Sequence, residues 1–299
     1  IAYRLNTKAT GLLTQDGAVT GIMAQTGDVT YEIRAKAVIL ATGGYLANRE
    51  LVAQYKPGYE NNGFDVTIGC DGSGLLMALE VGAVAKHMDI CGFHALAASY
   101  NGVSRSLTNP AGAGCIAVNA AGERYANEAG AYADFTAATM EEGQVFCIMD
   151  ETVMNQGRIK NDTGLSNITE MYTICDTLEE LAAELGIDPA GLVATAERYG
   201  EFVRNGVDED FGKAATGLTG DFSKGPYYGV KANVENHTVY GGIEIDNNGH
   251  VLDESGDIIG GLYAAGEVAM FKTGGRAPLP ECVDMGREAA RSIKAELGA

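Results

Sequence analysis

Short runs of strand-forming residues alternate with glycine turns over the first forty positions. The runs 18–24 and 29–33 are rich in Val, Ile, Thr and Tyr, and the turn between them holds Gly27. This spacing predicts a small antiparallel meander.

A different pattern follows at 37–44. Here Ala, Val, Ile and Leu form one unbroken apolar run, and the run ends in Gly43 and Gly44. A strand that is buried on both faces of a parallel sheet has this pattern. Helices are predicted after it, over 48–55 and from Gly72 onward.

Helical patterns are prominent between about 89 and 236. Thr177 and Glu180 have the spacing of a capping box, and Gly186 supplies a C-terminal stop. A second helix is predicted over Pro189–Asn205, with proline in its first turn and glycine after its last.

Strand patterns return at 241–245 and 261–266, and a last helix is predicted over 280–297. The chain therefore has β/α patterns at both ends and a mixed, helix-containing insert between them. The predicted domains are 1–90 with 237–299 for the β/α domain and 91–236 for the insert.

The composition is typical of a globular protein without a membrane span. Hydrophobic residues make up 46% of the 299 positions, and no apolar run approaches the roughly 20 residues of a membrane helix. Because 40 acidic residues outnumber 21 basic ones, the net charge is −19, which argues against a nucleic-acid interface. The six cysteines form no C-x-x-C pair, so we interpret them as buried thiols rather than a disulfide framework. No metal site is predicted.

Two glycine-containing segments follow predicted strands, Ala41–Gly44 and Ala264–Glu267. Because glycine and alanine carry little or no side chain, the backbone there could approach a flat ligand or a phosphate closely. A helix after the second segment would direct its N-terminal amides at a negative group. A plain turn at the end of a strand is the alternative for each segment taken alone.

Taken together and in order, Val38–Gly44 and Gly261–Glu267 resemble the flavoprotein subunits of fumarate reductases and succinate dehydrogenases. The likeness is closest to the branch of flavocytochrome-like fumarate reductases and urocanate reductases, and it extends over nearly the whole chain. The further matching segments are Gly72–Ala83, Gly122–Glu128, Leu185–Asp188, Tyr199, Gly206–Gly212, Gly225–Tyr228 and His237–Gly242.

The resemblance implies a mixed α/β fold in which a discontinuous, Rossmann-like FAD-binding domain carries an inserted capping domain. It also implies FAD as the cofactor. The cofactor-binding positions that it implies are Ala41, Thr42, Gly43, Gly44, Gly72, Ser73, Gly74, Gly266, Glu267 and Leu279.

The chain departs from the family in its first part. Family members begin with a G-x-G-x-x-G turn and an acidic residue for the adenosine ribose, and this chain contains neither. Its first residue, Ile1, falls where family members are already within the flavin domain. The resemblance therefore implies that the segment holding the pyrophosphate is missing, and we expect this chain alone to bind FAD weakly or not at all and to be inactive.

Family members reduce a carbon–carbon double bond beside a carbonyl or carboxylate; reduced flavin delivers a hydride and an acid delivers a proton. By position, His94 and His237 match substrate-binding histidines of the family. Arg276 lies near its carboxylate-binding arginine, in a shorter loop, and a guanidinium suits bidentate binding of a carboxylate. For His94, His237 and Arg276, an ordinary role in the core or on the surface is the alternative. We interpret His87 and His250 as ordinary core or surface residues.

The largest departure concerns the proton donor. Fumarate-reducing members carry an arginine four residues after the aspartate at a strand end, and here Met154 occupies that position after Asp150. A thioether cannot donate a proton. The family's Asn–Glu motif persists with Glu128, which we count among the catalytic candidates, but the relay arginine after it is absent. We nominate Tyr132 first and Arg158 second as the donor, because a polarised phenol can act as a general acid; packing or surface roles are the alternatives.

We therefore predict an FAD-dependent oxidoreductase that reduces the double bond of an α,β-unsaturated carboxylate or a related alkene. A larger or aromatic enoate, or a keto-activated alkene, fits better than fumarate. The expected partners are this small substrate and a separate electron donor, because the chain has no haem or FMN-attachment motif. Two alternatives stay open: a non-catalytic remnant of the fold, and a ketosteroid-type flavin dehydrogenase in which tyrosines abstract a proton.

Overall fold

The computed structural model describes residues 2–100, 103–156, 159, 168–272 and 278–298. The chain divides into two compact units. The first unit consists of 1–61, 66–92 and 237–299, and the second of 62–65 and 93–236. The sequence pattern placed 62–65 in the first domain, whereas the structure places this short segment in the second unit.

Strands and helices alternate irregularly along the chain. In chain order, the strands are β1 (Lys8–Gln15), β2 (Ala18–Thr26), β3 (Val29–Arg34), β4 (Val38–Leu40), β5 (Gly63–Phe64), β6 (Ala85–Lys86), β7 (Cys91–Tyr100), β8 (Val103–Ser106), β9 (Ile116–Asn119), β10 (Val145–Asp150), β11 (Thr173–Cys175), β12 (Tyr227–Val239), β13 (Gly242–Ile243), β14 (His250–Leu252) and β15 (Ile258–Ala264). The helices of the described residues are α1 (Arg49–Tyr55), α2 (Ser73–Glu80), α3 (Thr108–Ala113), α4 (Tyr132–Glu142), α5 (Glu151–Met154), α6 (Ile168–Met171), α7 (Leu178–Leu185), α8 (Pro189–Asn205) and α9 (Pro278–Glu296). Short 3₁₀ turns cover Ala215–Gly217 and Gly266–Val268.

The first unit contains the predicted meander and the predicted parallel strand, and both are confirmed. Strands β1, β2 and β3 form an antiparallel sheet in that order. A second sheet has the order β14-β15-β4, and β15 runs parallel to β4, with Ala264 opposite Leu40. Helices α1, α2 and α9 contribute Val52, Leu75 and Met285 to one apolar core with these sheets.

Helix α9 is joined to the β14–β15 hairpin by a group of side chains that we call the His250 cluster: His250, Asp246, Tyr263 and Glu296. The imidazole contacts Asp246 Oδ2 through Nδ1 at 2.8 Å and Glu296 Oε1 through Nε2 at 2.6 Å. The Tyr263 hydroxyl donates to Glu296 Oε2 at 2.7 Å. Partial burial lowers the pKa of His250, but the two carboxylates outweigh it and leave the pKa above its ordinary value.

The His250 cluster predicts that the attachment of α9 depends on pH. A raised histidine pKa contributes stability that is present below 6.5 and is lost as the pH rises through the raised value. Partial burial raises the pKa of Asp246, but the hydrogen bond from His250 outweighs it and leaves the pKa below its ordinary value. The pKa of Glu296 is also lowered, mainly by the hydrogen bond from Tyr263. Their contribution is therefore lost as the pH falls through those values. We expect hydrogen-exchange protection factors in α9 to be higher at about pH 5.5 than at about pH 9. His250→Gln should remove this difference, and an unchanged difference in that variant would contradict the assignment.

The second unit is built on a sheet of mainly antiparallel strands. Its order is β8-β7-β12-β10-β9, and β11 and β5 also pair with β12, β5 in parallel. Strand β10 lies inside the sheet and is buried along its whole length. Cys147 and Met149 face one core, and Phe146 and Ile148 face a second core that α7 and α8 cover.

The sequence predicts a mixed, helix-containing insert, but it does not locate the strands of this sheet. A strand that is buried on both faces has no alternation of polar and apolar positions, and periodicity alone does not separate it from a buried helix. The helices of the insert were predicted correctly where capping residues mark their ends. Thr177 Oγ1 accepts from Glu180 N at 3.2 Å, and Gly186 adopts a φ of 78° directly after α7. Helix α8 has the predicted bounds, and Asp188 caps it through Gly191 N.

Helix α9 begins two residues before its predicted start and contributes Met285 and Ala289 to the core. In the described part of the chain, no helix is long and apolar enough to cross a membrane.

Candidate functional site

The carboxyl ends of β4 and β15 bring the two glycine-containing segments together. We call these residues, Ala41–Gly44 and Ala265–Glu267, the strand-end edge. Ala265 N donates to Leu40 O at 2.9 Å, and Gly44 N donates to Glu267 Oε2 at 3.3 Å. Ligands of parallel α/β sheets bind beyond the carboxyl ends of the strands, so this edge is the candidate cofactor site of the first unit.

The backbone conformation of this edge and the lack of side chains at its glycines make it suitable for a flat ligand. Gly43 and Gly266 both have a φ of 76°, a backbone conformation that residues other than glycine rarely adopt. Among the described residues, a Cβ built on Gly266 would meet only Cys282 Sγ, at 3.9 Å, so the described part of the chain leaves the space beside this backbone open. A planar, polar group such as a flavin fits such a surface.

The Glu267 carboxylate is used to hold the edge in place. Its Oε1 accepts from Thr238 Oγ1 at 2.7 Å and from Val239 N at 2.8 Å, while Oε2 accepts from Gly44 N. Glu267 therefore ties the end of β12 to the turn after β4. These contacts explain why a glutamate is needed at position 267. A direct contact between Glu267 and the cofactor stays a prediction.

The glycines around Ser73 have packing reasons of their own. A Cβ on Gly72 would lie 2.3 Å from Leu51 Cδ1, and one on Gly74 would lie 2.1 Å from Thr42 Oγ1. Leu279, in the first turn of α9, is 78% exposed. A cofactor-binding role for each of these residues stays a prediction.

In the second unit, three side chains distant in sequence form a hydrogen-bonded chain. His94 lies on β7, Asp65 directly follows β5, and Tyr132 is the first residue of α4. His94 Nδ1 lies 3.0 Å from the Tyr132 hydroxyl, and His94 Nε2 lies 2.9 Å from Asp65 Oδ2. The structure thus brings together two of the predicted site residues and one that was not predicted.

Tyr132 also borders a cavity of about 200 Å³ within the second unit. Most of its wall is apolar or small, with Leu96, Ala111 and Phe135 among the lining residues. Tyr132 is 45% exposed, and Glu128 forms part of the same wall. The cavity therefore offers an apolar surface next to a phenol hydroxyl.

Glu128 belongs to a buried group of charges that we call the Arg124 cluster: Arg124, Glu128, Asp208 and Lys213. Arg124 binds Glu128 in bidentate fashion, with both nitrogen–oxygen distances at 2.8 Å, and reaches Asp208 Oδ2 at 3.0 Å. Lys213 Nζ lies 3.3 Å from Glu128 Oε2 and donates to Cys115 O at 2.7 Å. Two positive and two negative charges balance, and all four side chains are at most 4% exposed.

The Arg124 cluster keeps Glu128 ionised. Burial raises the pKa of this carboxyl, but Lys213 and Arg124 outweigh it and leave the pKa below its ordinary value. The same balance raises the pKa of Lys213, against the effect of its burial. Glu128 therefore serves as an anion that organises the second unit, and its predicted catalytic role stays a prediction.

The remaining candidates are placed as follows. Met154 is buried in the core that Cys147 faces, and His237 is exposed near the end of β12, in the first unit. Arg158 and Arg276 lie outside the described residues.

Sequence reasoning missed Asp65 and Lys213. Asp65 stands alone in the run Gly-Phe-Asp-Val, without a motif around it. Lys213 directly follows a segment that matched the family, but a lone lysine carries no signal for burial. Only the fold shows their partners.

Comparison with known proteins agrees with this geometry. Residues 1–281 match the family model described as FAD binding domain, so the chain belongs to this family of FAD-binding proteins. Over 276 residues it is 33% identical to a fumarate reductase (cytochrome) of Shewanella frigidimarina, an alignment that covers 90% of this chain and 47% of the relative. The predicted membership of the fumarate reductase flavoprotein group and the FAD cofactor of the family are confirmed.

Two solved structures share the fold. The open conformation of a flavocytochrome c3 fumarate reductase superposes with a TM-score of 0.82 at 30% identity, over 98% of this chain and 52% of that one. A 3-ketosteroid delta1-dehydrogenase from Sterolibacterium denitrificans superposes with a TM-score of 0.78 at 27% identity, over 98% of this chain and 60% of that one. The chain thus spans about half the length of the fumarate reductases that it resembles.

Proposed function

We propose that this protein acts as an FAD-dependent reductase of α,β-unsaturated acids or related alkenes, with Tyr132 as the proton donor. The observation that carries the proposal is the position of the Tyr132 hydroxyl. It lies 3.0 Å from an imidazole nitrogen, and the Tyr132 residue lines a cavity that is large enough for a small organic molecule. A phenol that is polarised by a neighbouring base or cation can act as a general acid.

Reduction of a double bond needs a hydride and a proton. Reduced FAD, when bound, supplies the hydride to one alkene carbon. The residues that would hold FAD in this chain are those of the strand-end edge, where the space beside the Gly266 backbone is open among the described residues and Cys70 lies beside Gly43. The proton for the other carbon comes from the Tyr132 hydroxyl.

The wall of the cavity favours an aromatic or otherwise apolar substrate over fumarate. Leu96 and Phe135 offer apolar contacts, and no lysine, arginine or histidine lines this cavity among the described residues. The second carboxylate of fumarate would find no cationic side chain among these described lining residues. An aromatic enoate instead buries its ring against these side chains.

A substrate panel tests the proposal. The full-length protein that contains this chain is loaded with FAD and, with reduced methyl viologen as electron donor and without oxygen, is supplied in turn with cinnamate, acrylate and fumarate. We expect turnover of cinnamate to 3-phenylpropanoate, with kcat/KM at least about tenfold above that for fumarate, since burial of a phenyl ring contributes a few kcal/mol.

Two results would contradict the proposal. If fumarate is reduced faster than cinnamate, the apolar cavity does not select the substrate. If no enoate is reduced and a saturated 3-ketosteroid instead reduces the bound flavin, the protein is a dehydrogenase of the ketosteroid type, which the similarity to the Sterolibacterium structure makes the second candidate.

A further inference from the structure

His94 has both ring nitrogens in contact with other side chains of the second unit. Nε2 faces Asp65 Oδ2 at 2.9 Å and Nδ1 faces the Tyr132 hydroxyl at 3.0 Å. The side chains of His94 and Asp65 are only 13% and 22% exposed. A histidine that anchors a substrate carboxylate needs a free N–H, and this pair of contacts uses both positions.

The chemistry of the partners fixes the direction of one of these hydrogen bonds. An ionised carboxylate only accepts, so Nε2 must carry the hydrogen that it donates to Asp65. Nδ1 then accepts from the Tyr132 hydroxyl when the ring is neutral, and donates to the phenol oxygen when the ring is an imidazolium.

We propose that Asp65 and His94 form a proton relay that serves Tyr132, which changes the role of His94 from substrate anchor to proton carrier. The inference rests on the proposed function and adds Asp65 as a positioning residue. When the Tyr132 O–H bond breaks, its proton forms the new C–H bond on the alkene carbon that does not receive the hydride. The Nδ1–H proton of the His94 imidazolium passes to the phenolate oxygen, and neutral imidazole remains with Nε2–H on Asp65.

The proton balance closes with one proton taken from solvent in each cycle. Tyr132 ends as a neutral phenol, His94 has lost one proton, and solvent water returns that proton to Nδ1 before the next cycle. The reductant for the accompanying hydride is reduced FAD, as in the proposed function. Asp65 keeps its charge throughout, and its carboxylate stabilises the imidazolium in the way that a triad aspartate does.

The fold holds Asp65 in this position from two sides. Asp65 N donates to Asn236 O at 3.2 Å, which fixes the backbone after β5 against β12. On the same strand pair, Glu235 lies opposite Gly63, and a Cβ on Gly63 would lie 3.0 Å from Glu235 Oε1. The absence of a side chain at Gly63 therefore leaves room for the Glu235 carboxyl beside Asp65.

Glu235 is a second carboxyl near Asp65, and it is buried. Glu235 is 1% exposed, and hydroxyls of Ser99 and Ser104 donate to its carboxyl. Burial raises the pKa of Glu235, and the nearby Asp65 charge raises it further.

The test uses Asp65→Asn, which keeps the shape of the side chain but can donate a hydrogen to Nε2. Nitrogen-15 NMR of the histidine rings reports which nitrogen carries the proton, in the protein with or without FAD. We expect neutral His94 to carry the proton on Nε2 in the wild type and on Nδ1 in Asp65→Asn. His87, in the first unit, is the internal reference and should not change.

Kinetics of the FAD-loaded protein provide the second measurement. Asp65→Asn should lower kcat on the order of 10²-fold or more, as expected when a histidine base or acid is held in the wrong tautomer, with KM within about threefold. Asp221→Asn is the matched control, because Asp221 lies in the same unit and its carboxylate accepts hydrogen bonds from Ser223 N and Ser223 Oγ on the surface. This control should turn over like the wild type.

The outcomes separate the relay from the proposed function. If the wild type reduces enoates but Asp65→Asn reduces them equally fast, or if wild-type His94 already carries its proton on Nδ1, the relay is wrong and the reductase assignment stands. If the wild type reduces no enoate, the proposed function fails, and the tautomer measurement still decides whether Asp65 orients His94. A parallel loss of thermal stability in Asp65→Asn, without a tautomer change, would assign Asp65 a structural role only.

Discussion

Tyr132→Phe should lower the turnover of an enoate by about 10²–10⁴-fold, the range that general acid catalysis contributes. The substitution removes one oxygen atom and keeps the ring that lines the cavity. Because the lost group acts on the transition state rather than on the bound substrate, we expect kcat to fall and KM to stay nearly constant. The measurement is steady-state kinetics of the FAD-loaded protein with cinnamate.

Tyr125→Phe is the matched control for this experiment. The Tyr125 hydroxyl lies 3.0 Å from Thr139 Oγ1, and its ring stacks on Phe135 with centroids 6.0 Å apart. It lies in the same unit, but burial raises its pKa and its hydroxyl is occupied by Thr139. Tyr125→Phe should retain wild-type turnover. Equal rates for Tyr132→Phe and the wild type would show that another group donates the proton.

Arg124→Met should destabilise the protein by about 3–5 kcal/mol, the range for removal of one partner from a buried ion pair. The guanidinium contacts both carboxylates of the Arg124 cluster, Glu128 and Asp208. Without it, Glu128 keeps its ion pair with Lys213, and Asp208 loses its ion pair with Arg124. Urea unfolding, followed by circular dichroism, measures the loss.

Two further variants show whether the unpaired charge causes this effect. Arg198→Met removes an exposed arginine that pairs with Asp210 on the surface, and should change the unfolding midpoint little. The double variant Arg124→Met/Glu128→Gln leaves one positive and one negative charge in the cluster, and should recover part of the lost stability. If the double variant is less stable than Arg124→Met alone, lost packing rather than unpaired charge explains the result.

The fold was predictable where local chemistry decides it. Caps at Thr177, Gly186 and Asp188 define the ends of α7 and α8, and the apolar run before Gly43 defined a parallel strand. The sheet of the second unit was not predictable from local chemistry, because β10 is buried on both faces and its partner strand β12 lies far away in the sequence. In its pairing with β12, Val145 lies opposite Ala232, which comes much later in the sequence.

The site was predictable only in part, for a related reason. Resemblance to a family drew attention to His94 and Tyr132, which lie 38 residues apart. Asp65 lies a further 29 residues from His94, and no motif connects them. The contact depends on β5 joining the edge of a sheet whose other strands come from later in the chain. Resemblance also placed Glu128 among the catalytic candidates, whereas its ion pairs with Arg124 and Lys213 are visible only in the fold, and its catalytic role stays a prediction.

Single-turnover oxidation of the reduced flavin tests the central claim most directly. The FAD-loaded protein is reduced without oxygen, mixed with cinnamate in a stopped-flow instrument, and followed by flavin absorbance and by product analysis. The account predicts that the flavin is reoxidised, that one 3-phenylpropanoate forms per flavin, and that Tyr132→Phe slows this step by about 10²–10⁴-fold while Tyr125→Phe does not. A flavin that stays reduced with cinnamate, acrylate and fumarate alike would contradict it.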